Sequence, residues 1–163
     1  MKKFYINEKI FSIGDRFKVF NENGSIVYEV KERLFTFGKQ YSLYDATGKN
    51  IGKIKQKMFR LLPRYNIYID DKLAVTVKKR FTFFVKKYDI ISPYANYQIS
   101  GDIFAWNFNI SKDGNVFCSV SKNFNIFRDK YEVLVGDGFS EVLSLCLVII
   151  LDAVHHDNRR RHH

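Results

Sequence analysis

Near the end of the chain, Val142-Leu-Ser-Leu-Cys-Leu-Val-Ile-Ile-Leu151 contains a single polar side chain, Ser144. Wound as a helix, such a run is apolar on every side and has to be buried, in lipid or in protein. A bilayer span needs about 20 apolar residues and this run is roughly half that, so no transmembrane span is expected. A helix over 141–154 enclosed by the rest of the chain satisfies both constraints. Periodicity leaves a buried strand open as the alternative. The run stays largely apolar through Val154, longer than a usual strand, and length favours the helix. Gly136-Asp-Gly138 breaks whatever precedes it, and Ser140 with Glu141 offers a polar cap and an acid near the positive helix end. Asp152, His155, His156 and Asp157 are expected to return the chain to water, leaving 155–163 as a polar tail.

What precedes the helix reads as short antiparallel strands. Aromatics make up 17% of the chain, with 16 Phe and 10 Tyr against two Pro, a composition that suits β-structure. Asp113-Gly114 is a strong hairpin signal. Asn21 to Gly24, Asp45 to Gly48 and Asp70-Asp71-Lys72 separate further strand-like runs. In the pair 65–69 and 73–77, Tyr65, Ile67, Ile69, Leu73, Val75 and Val77 alternate with small or polar residues. One face of the sheet is therefore expected to be buried and the other wet.

A short repeat runs through these strands: a basic residue, seven others, an aromatic, one residue, an aliphatic. Arg33, Tyr41 and Leu43 form one copy; Lys57, Tyr65 and Ile67 the next; Arg80, Tyr88 and Ile90 a third. In a fourth, Asn123 replaces the basic residue ahead of Tyr131 and Val133. Four residues before each tyrosine stands another large apolar group, Phe37, Leu61, Phe84 or Phe127. About eleven or twelve strands fit between residues 4 and 136, and an open meander of that size would tend to curl and close. The expected fold is mainly β, a closed antiparallel barrel of about twelve strands around the C-terminal helix, forming one domain over 1–154. A barrel that wide has room for such an occupant.

Signatures of catalysis are scarce. All four histidines follow Val154, so a serine or cysteine nucleophile in the barrel would lack an imidazole base. Phosphate-loop, dinucleotide-glycine and nucleophile-elbow patterns are absent. Cys118 and Cys146 lie in apolar runs and read as small buried hydrophobes of a reducing compartment. Neither has a histidine near it in sequence, so no metal site and no cofactor is expected. Met1-Lys-Lys-Phe-Tyr-Ile-Asn-Glu8 does not read as a secretory leader, and a cytoplasmic location, at most peripheral to the membrane, is expected.

Lys and Arg outnumber acids 27 to 17, a balance that favours anionic partners such as a membrane surface or an acidic protein. The cations cluster. Lys49, Lys53, Lys55 and Lys57 alternate along one run that continues to Arg60 and Arg64. Lys78, Lys79 and Arg80, with Lys86 and Lys87, flank Phe81-Thr-Phe-Phe-Val85. On neighbouring strands Lys53, Lys55, Lys57, Lys78, Lys79, Arg80, Lys86 and Lys87 would make one positive outer patch able to grip lipid phosphates. Nucleic-acid binders add stacking aromatics to the same face. Here the aromatics mostly alternate with the lysines and are expected to point inward, so nucleic acid is not the expected partner.

The pattern resembles the LURP-one-related family, which is grouped with tubby carboxy-terminal domains and phospholipid scramblases. The residues carrying the resemblance are Tyr41-Ser-Leu-Tyr-Asp-Ala-Thr-Gly-Lys-Asn-Ile-Gly-Lys-Ile-Lys-Gln-Lys57, Tyr97-Gln-Ile-Ser-Gly-Asp-Ile103, Asp129-Lys-Tyr-Glu-Val133 and the apolar run ending Ile149-Ile-Leu-Asp152. The resemblance implies a twelve-stranded barrel around a central hydrophobic helix. It also implies lipid associations, since tubby-like domains bind phosphoinositides through basic residues and scramblases redistribute lipid with calcium. The acidic calcium segment and palmitoylated cysteines of scramblases have no counterpart here. Two functions are therefore expected in turn: a non-enzymatic module binding anionic phospholipid at the cytoplasmic membrane surface, or a scaffold whose charge serves solubility.

Overall fold

The computed structural model describes residues 1–7, 16–33, 36–81, 87–122 and 130–160, with helical side chains described as far as Val154. Twelve strands precede one helix: β1 (Lys2–Asn7), β2 (Arg16–Asn21), β3 (Ile26–Glu32), β4 (Gln40–Asp45), β5 (Asn50–Lys57), β6 (Arg64–Ile69), β7 (Lys72–Arg80), β8 (Lys87–Ile91), β9 (Tyr97–Asp102), β10 (Asn107–Lys112), β11 (Asn115–Lys122), β12 (Lys130–Val135) and α1 (Glu141–Arg160). The sheet runs β8-β7-β6-β5-β4-β3-β2-β1-β12-β11-β10-β9, every paired neighbour antiparallel. Closure is nearly complete. β8 and β9 lie side by side without a hydrogen-bonded ladder, and a groove of about 950 Å³ follows that seam.

Antiparallel succession gives the barrel two unlike ends. At one, which we call the turn end, β2–β3, β4–β5, β6–β7 and β10–β11 are joined by tight turns. Each of these four hairpins has a register shift beside its turn, at Val19/Phe20, Leu43/Tyr44, Ile67/Tyr68 and Ile110/Ser111. Bulges increase local twist, which is what curls a meander toward closure. Asp70 and Asp71 both take positive φ (48° and 61°), as do Asp113 and Gly114 (50° and 83°), the backbone that two-residue hairpins require. In the four-residue turns a side chain holds the backbone: Asn21 Oδ1 accepts from the Ser25 amide at 2.9 Å and Asp45 Oδ1 from the Lys49 amide at 3.0 Å.

The bulge in β6–β7 corrects the simple alternation. Leu73 pairs with Tyr68 and Val75 with Ile67, so Ala74 is the extra residue and the parity flips across it. Leu73, expected inside, is half exposed, while Val75 and Val77 are buried. Val27, Ile51 and Phe117 are the extra residues of the other three hairpins. Tyr41, Tyr65, Tyr88 and Tyr131, the aromatic position of the repeat, are all buried at the starts of β4, β6, β8 and β12, hence at the opposite end, the loop end. There Trp106 stacks on Tyr131 with ring centroids 4.3 Å apart.

α1 enters from the turn end and runs down the interior. Every residue from Leu143 to Val154 is buried, as a helix without a polar side demands. Its cap is the expected one: the Leu143 amide donates to Ser140 Oγ at 3.1 Å. Glu141 in the first turn pairs with Lys2 and accepts from the Tyr28 hydroxyl at 2.8 Å; burial first, and then that hydrogen bond, hold the Tyr28 phenol well above its ordinary range. The helix lies against β5 and β6, and Gly52 makes that approach possible. A Cβ there would meet Val142 Cγ1 at 3.1 Å and Cys146 Sγ at 3.2 Å. Two expectations are corrected. The helix does not stop near 154 but continues to Arg160, since 155–160 contain neither Gly nor Pro to end it. Asp152 does not return the chain to water. It is fully buried, because the barrel wall still surrounds the helix about 16 Å below Glu141.

Candidate functional site

The inward turn of Gly52 and Ile54 sends Lys53, Lys55 and Lys57 to the outer face of β5. Val75 and Val77 do the same for Lys78 and Arg80 on β7, and Tyr88 and Ile90 for Lys87 on β8. The register then aligns cations across strands. Lys57 stands opposite Arg64, Arg64 opposite Lys78, and Arg80 opposite Lys87. Arg64, which opens β6, supplies the missing middle of that row. Sequence reasoning placed it in the cluster but not among the site residues, because only strand register shows what it faces.

Six of the eight expected residues thus share one outer face. Lys79 does not. It pairs with buried Tyr88 and shares the inward-facing register of that residue, as counting by two from Val75 and Val77 requires. Lys86 lies outside the described residues.

Acids compensate part of this charge. Lys53 Nζ is 2.6 Å from Asp71 Oδ1, and that contact holds the Asp71 carboxyl below its usual range. Arg80 pairs with Asp89, its Nε donating at 3.1 Å. No comparable partner faces Lys57 or Arg64 among the described residues. Farther round the wall, Lys31, Arg33, Lys53 and Lys55 line a groove of about 330 Å³ that passes over Ser42. Spacing along the chain does not join Lys31 to Lys53, since they meet only through the pairing of each with Ser42.

The expectation that aromatics point inward needs amending. Tyr44 and Tyr68 sit on the outer face, because Tyr68 pairs with Lys53 and Tyr44 alternates with buried Tyr41 and Leu43. Each lies under a lysine, Lys31 Nζ at 4.7 Å from the Tyr44 ring and Lys55 Nζ at 5.5 Å from that of Tyr68. These rings act as supports for cations and do not present open stacking faces.

Cys118 and Cys146 are buried free thiols, each pushed up to about 12 by burial, which leaves them unreactive. Among the described residues no group of three His, Cys, Asp or Glu side chains is placed to hold a metal ion. No helix among them is long and apolar enough to cross a membrane.

Comparison with known proteins agrees with this architecture. No curated protein matches the chain by sequence. The X-ray structure of a protein from Arabidopsis thaliana matches with a TM-score of 0.68 at 16% identity, covering 94% of this chain and 90% of that one. At that identity the likeness speaks for the fold alone, which is the nearly closed twelve-stranded barrel with one C-terminal helix. The LURP-one-related family model matches residues 2–152, nearly the whole barrel and most of the apolar helix, and the chain belongs to that family.

Proposed function

We propose that this protein is a binding module, not a catalyst, and that its ligand is anionic phospholipid at the cytoplasmic face of a membrane. One observation carries the reading: Lys57, Arg64 and Lys78 stand directly opposite one another on three adjacent strands. Like charges in that relation destabilise a sheet. A row of them is tolerable in water and becomes favourable once phosphates sit against it, each cation contributing about 1 kcal/mol near an anionic surface. Lys55, Arg80 and Lys87 extend the row along the same face, with Lys53 at its margin. Lys79 and Lys86 are not needed for it.

Vesicle sedimentation tests the proposal. The protein should pellet with phosphatidylcholine vesicles that contain phosphatidylserine, remain in the supernatant with phosphatidylcholine alone, and lose most of its binding in high salt. Equal partitioning with both vesicles would remove the lipid-phosphate reading. The second reading, a scaffold whose lysines serve solubility, draws on the Lys53–Asp71 and Arg80–Asp89 pairs, which already neutralise part of the face. It expects no pelleting with either vesicle.

A further inference from the structure

One position of the repeat is not absorbed by the core. Between its basic residue and its buried tyrosine, the first copy carries Phe37 and the second Leu61, and both are exposed. (Phe84 and Phe127, at the same place in the other copies, lie outside the described residues.) Beside them Phe59 is 89% exposed, and Met58 and Phe81 also open to solvent. All five follow the lower ends of β3, β5 and β7, so they project from the loop end.

Two of these loops lean on each other. The Phe37 and Phe59 rings are 5.8 Å apart, and a Cβ at Gly38 would lie 2.9 Å from Met58 Sδ. Phe59 is held at φ 58°, in the left-handed region that a bulky residue rarely adopts. The result is a projecting apolar tip made of residues that a soluble surface has no reason to display. Lys57, Arg60, Arg64 and Arg80 border it and are all at least partly exposed.

We infer that these tips enter the boundary between head groups and acyl chains of an anionic membrane, so that the barrel stands on its loop end. The inference rests on the lipid reading for its charge and adds apolar insertion and an orientation. Cations bordering apolar side chains are the composition that binds such an interface. The shape favours lipid over a protein partner. The apolar residues ride on narrow loops separated by arginines, whereas a protein interface needs a continuous, closely packed apolar centre. Insertion into disordered head groups needs no such complement.

The experiment compares the wild type with the double variant Phe59→Asn, Leu61→Ser. Both sites are exposed, and asparagine suits positive φ, so circular dichroism and thermal unfolding should show the fold kept. A fluorophore on Phe37→Cys reports the environment, and the buried native thiols should leave it the only label. With vesicles containing phosphatidylserine, the wild type should keep part of its binding in high salt, and the double variant should lose that part by about 10- to 100-fold. The fluorophore should shift to the blue and be quenched by lipids brominated in the upper acyl chain.

If salt removes all binding and the variant matches the wild type, insertion is overturned and the charge reading stands. Binding to phosphatidylcholine alone that the variant abolishes would keep insertion and overturn the charge reading. No binding to either vesicle overturns both. Self-association that sedimentation velocity detects in the wild type and not in the variant would then mark the tip as a contact between copies.

Discussion

The two ends of this barrel are built to opposite specifications. At the turn end, connections are short, asparagine and aspartate side chains hold the backbone, and the helix enters with its cap and first-turn acid satisfied. Glu22, Asp45, Asp70, Asp71, Asp113, Asp137 and Glu141 gather there, interleaved with Lys2, Lys49, Lys72 and Lys112. The terminal amine of Met1 itself pairs with Asp137. At the loop end, Arg33, Lys57, Arg60, Arg64, Arg80 and Lys87 surround exposed aromatic and aliphatic side chains. Among the described residues the positive charge is thus not an even solvation coat. Exposed apolar side chains occur at both ends, Ile26, Leu73, Tyr94 and Val116 among them at the turn end, but the loop end sets Phe37, Phe59, Leu61 and Phe81 among arginines and lysines.

The largest effect that can break this contrast is on binding. Lys57→Glu, Arg64→Glu and Lys78→Glu together should weaken partition onto phosphatidylserine vesicles by at least roughly 100-fold, since neutralising three cations alone removes about 3 kcal/mol. Lys49→Glu, Lys72→Glu and Lys112→Glu make the same change of net charge at the turn end and should cost little. Sedimentation of both triple variants decides the matter. Equal losses would mean that overall charge, and not its placement, governs attraction.

Stability should show the reverse asymmetry. Gly52→Val places a side chain where Val142 and Cys146 already press against the strand, and overpacking of this kind costs about 1–3 kcal/mol. Leu61→Ser at the loop end touches no core and should change unfolding by less than about 0.5 kcal/mol. Urea denaturation of both variants measures the difference. A Gly52→Val protein as stable as the wild type would show that the helix is not seated as tightly as its contacts imply.

What was legible in the sequence follows the same division. The helix was readable because Val142 to Leu151 offers no polar side, and the turn-end hairpins because Asp113-Gly114 and Asn21 to Gly24 name their turns. Tyr41, Tyr65, Tyr88 and Tyr131 were readable as a repeat, and all four are buried. Leu73 was misplaced because a bulge leaves no mark in an alternating pattern. Asp152 was misplaced because a carboxylate ending an apolar run looks the same whether it meets water or the far wall of a barrel. The inward register of Lys79 could have been found by counting from Val77. The row through Arg64 could not, since it depends on the β5–β6 and β6–β7 registers. The open seam between β8 and β9 is likewise a property of closure and not of either strand.

A smaller effect tests the turn end directly. Ser140→Ala removes the acceptor of the Leu143 amide and should destabilise the fold by about 1 kcal/mol, with vesicle binding unchanged. A loss of binding at equal fold content would tie the helix entrance to the ligand and contradict the separation of the two ends.

The smallest predicted change is the most discriminating, because its two readouts move in opposite directions. Arg64 stands between Lys57 and Lys78, so Arg64→Gln relieves repulsion on both sides while keeping much of the side chain's length. Relief of like charges in register is worth a few tenths of a kcal/mol, so unfolding in low salt should become harder by about 0.5 kcal/mol, and the gain should shrink as salt screens the row. Binding to phosphatidylserine vesicles should weaken by about five-fold over the same substitution. A residue kept for solubility would show the gain without the loss, and one kept for packing would lose stability. Only a cation held against its neighbours for the sake of an external anion makes the protein firmer and its binding poorer when it is removed.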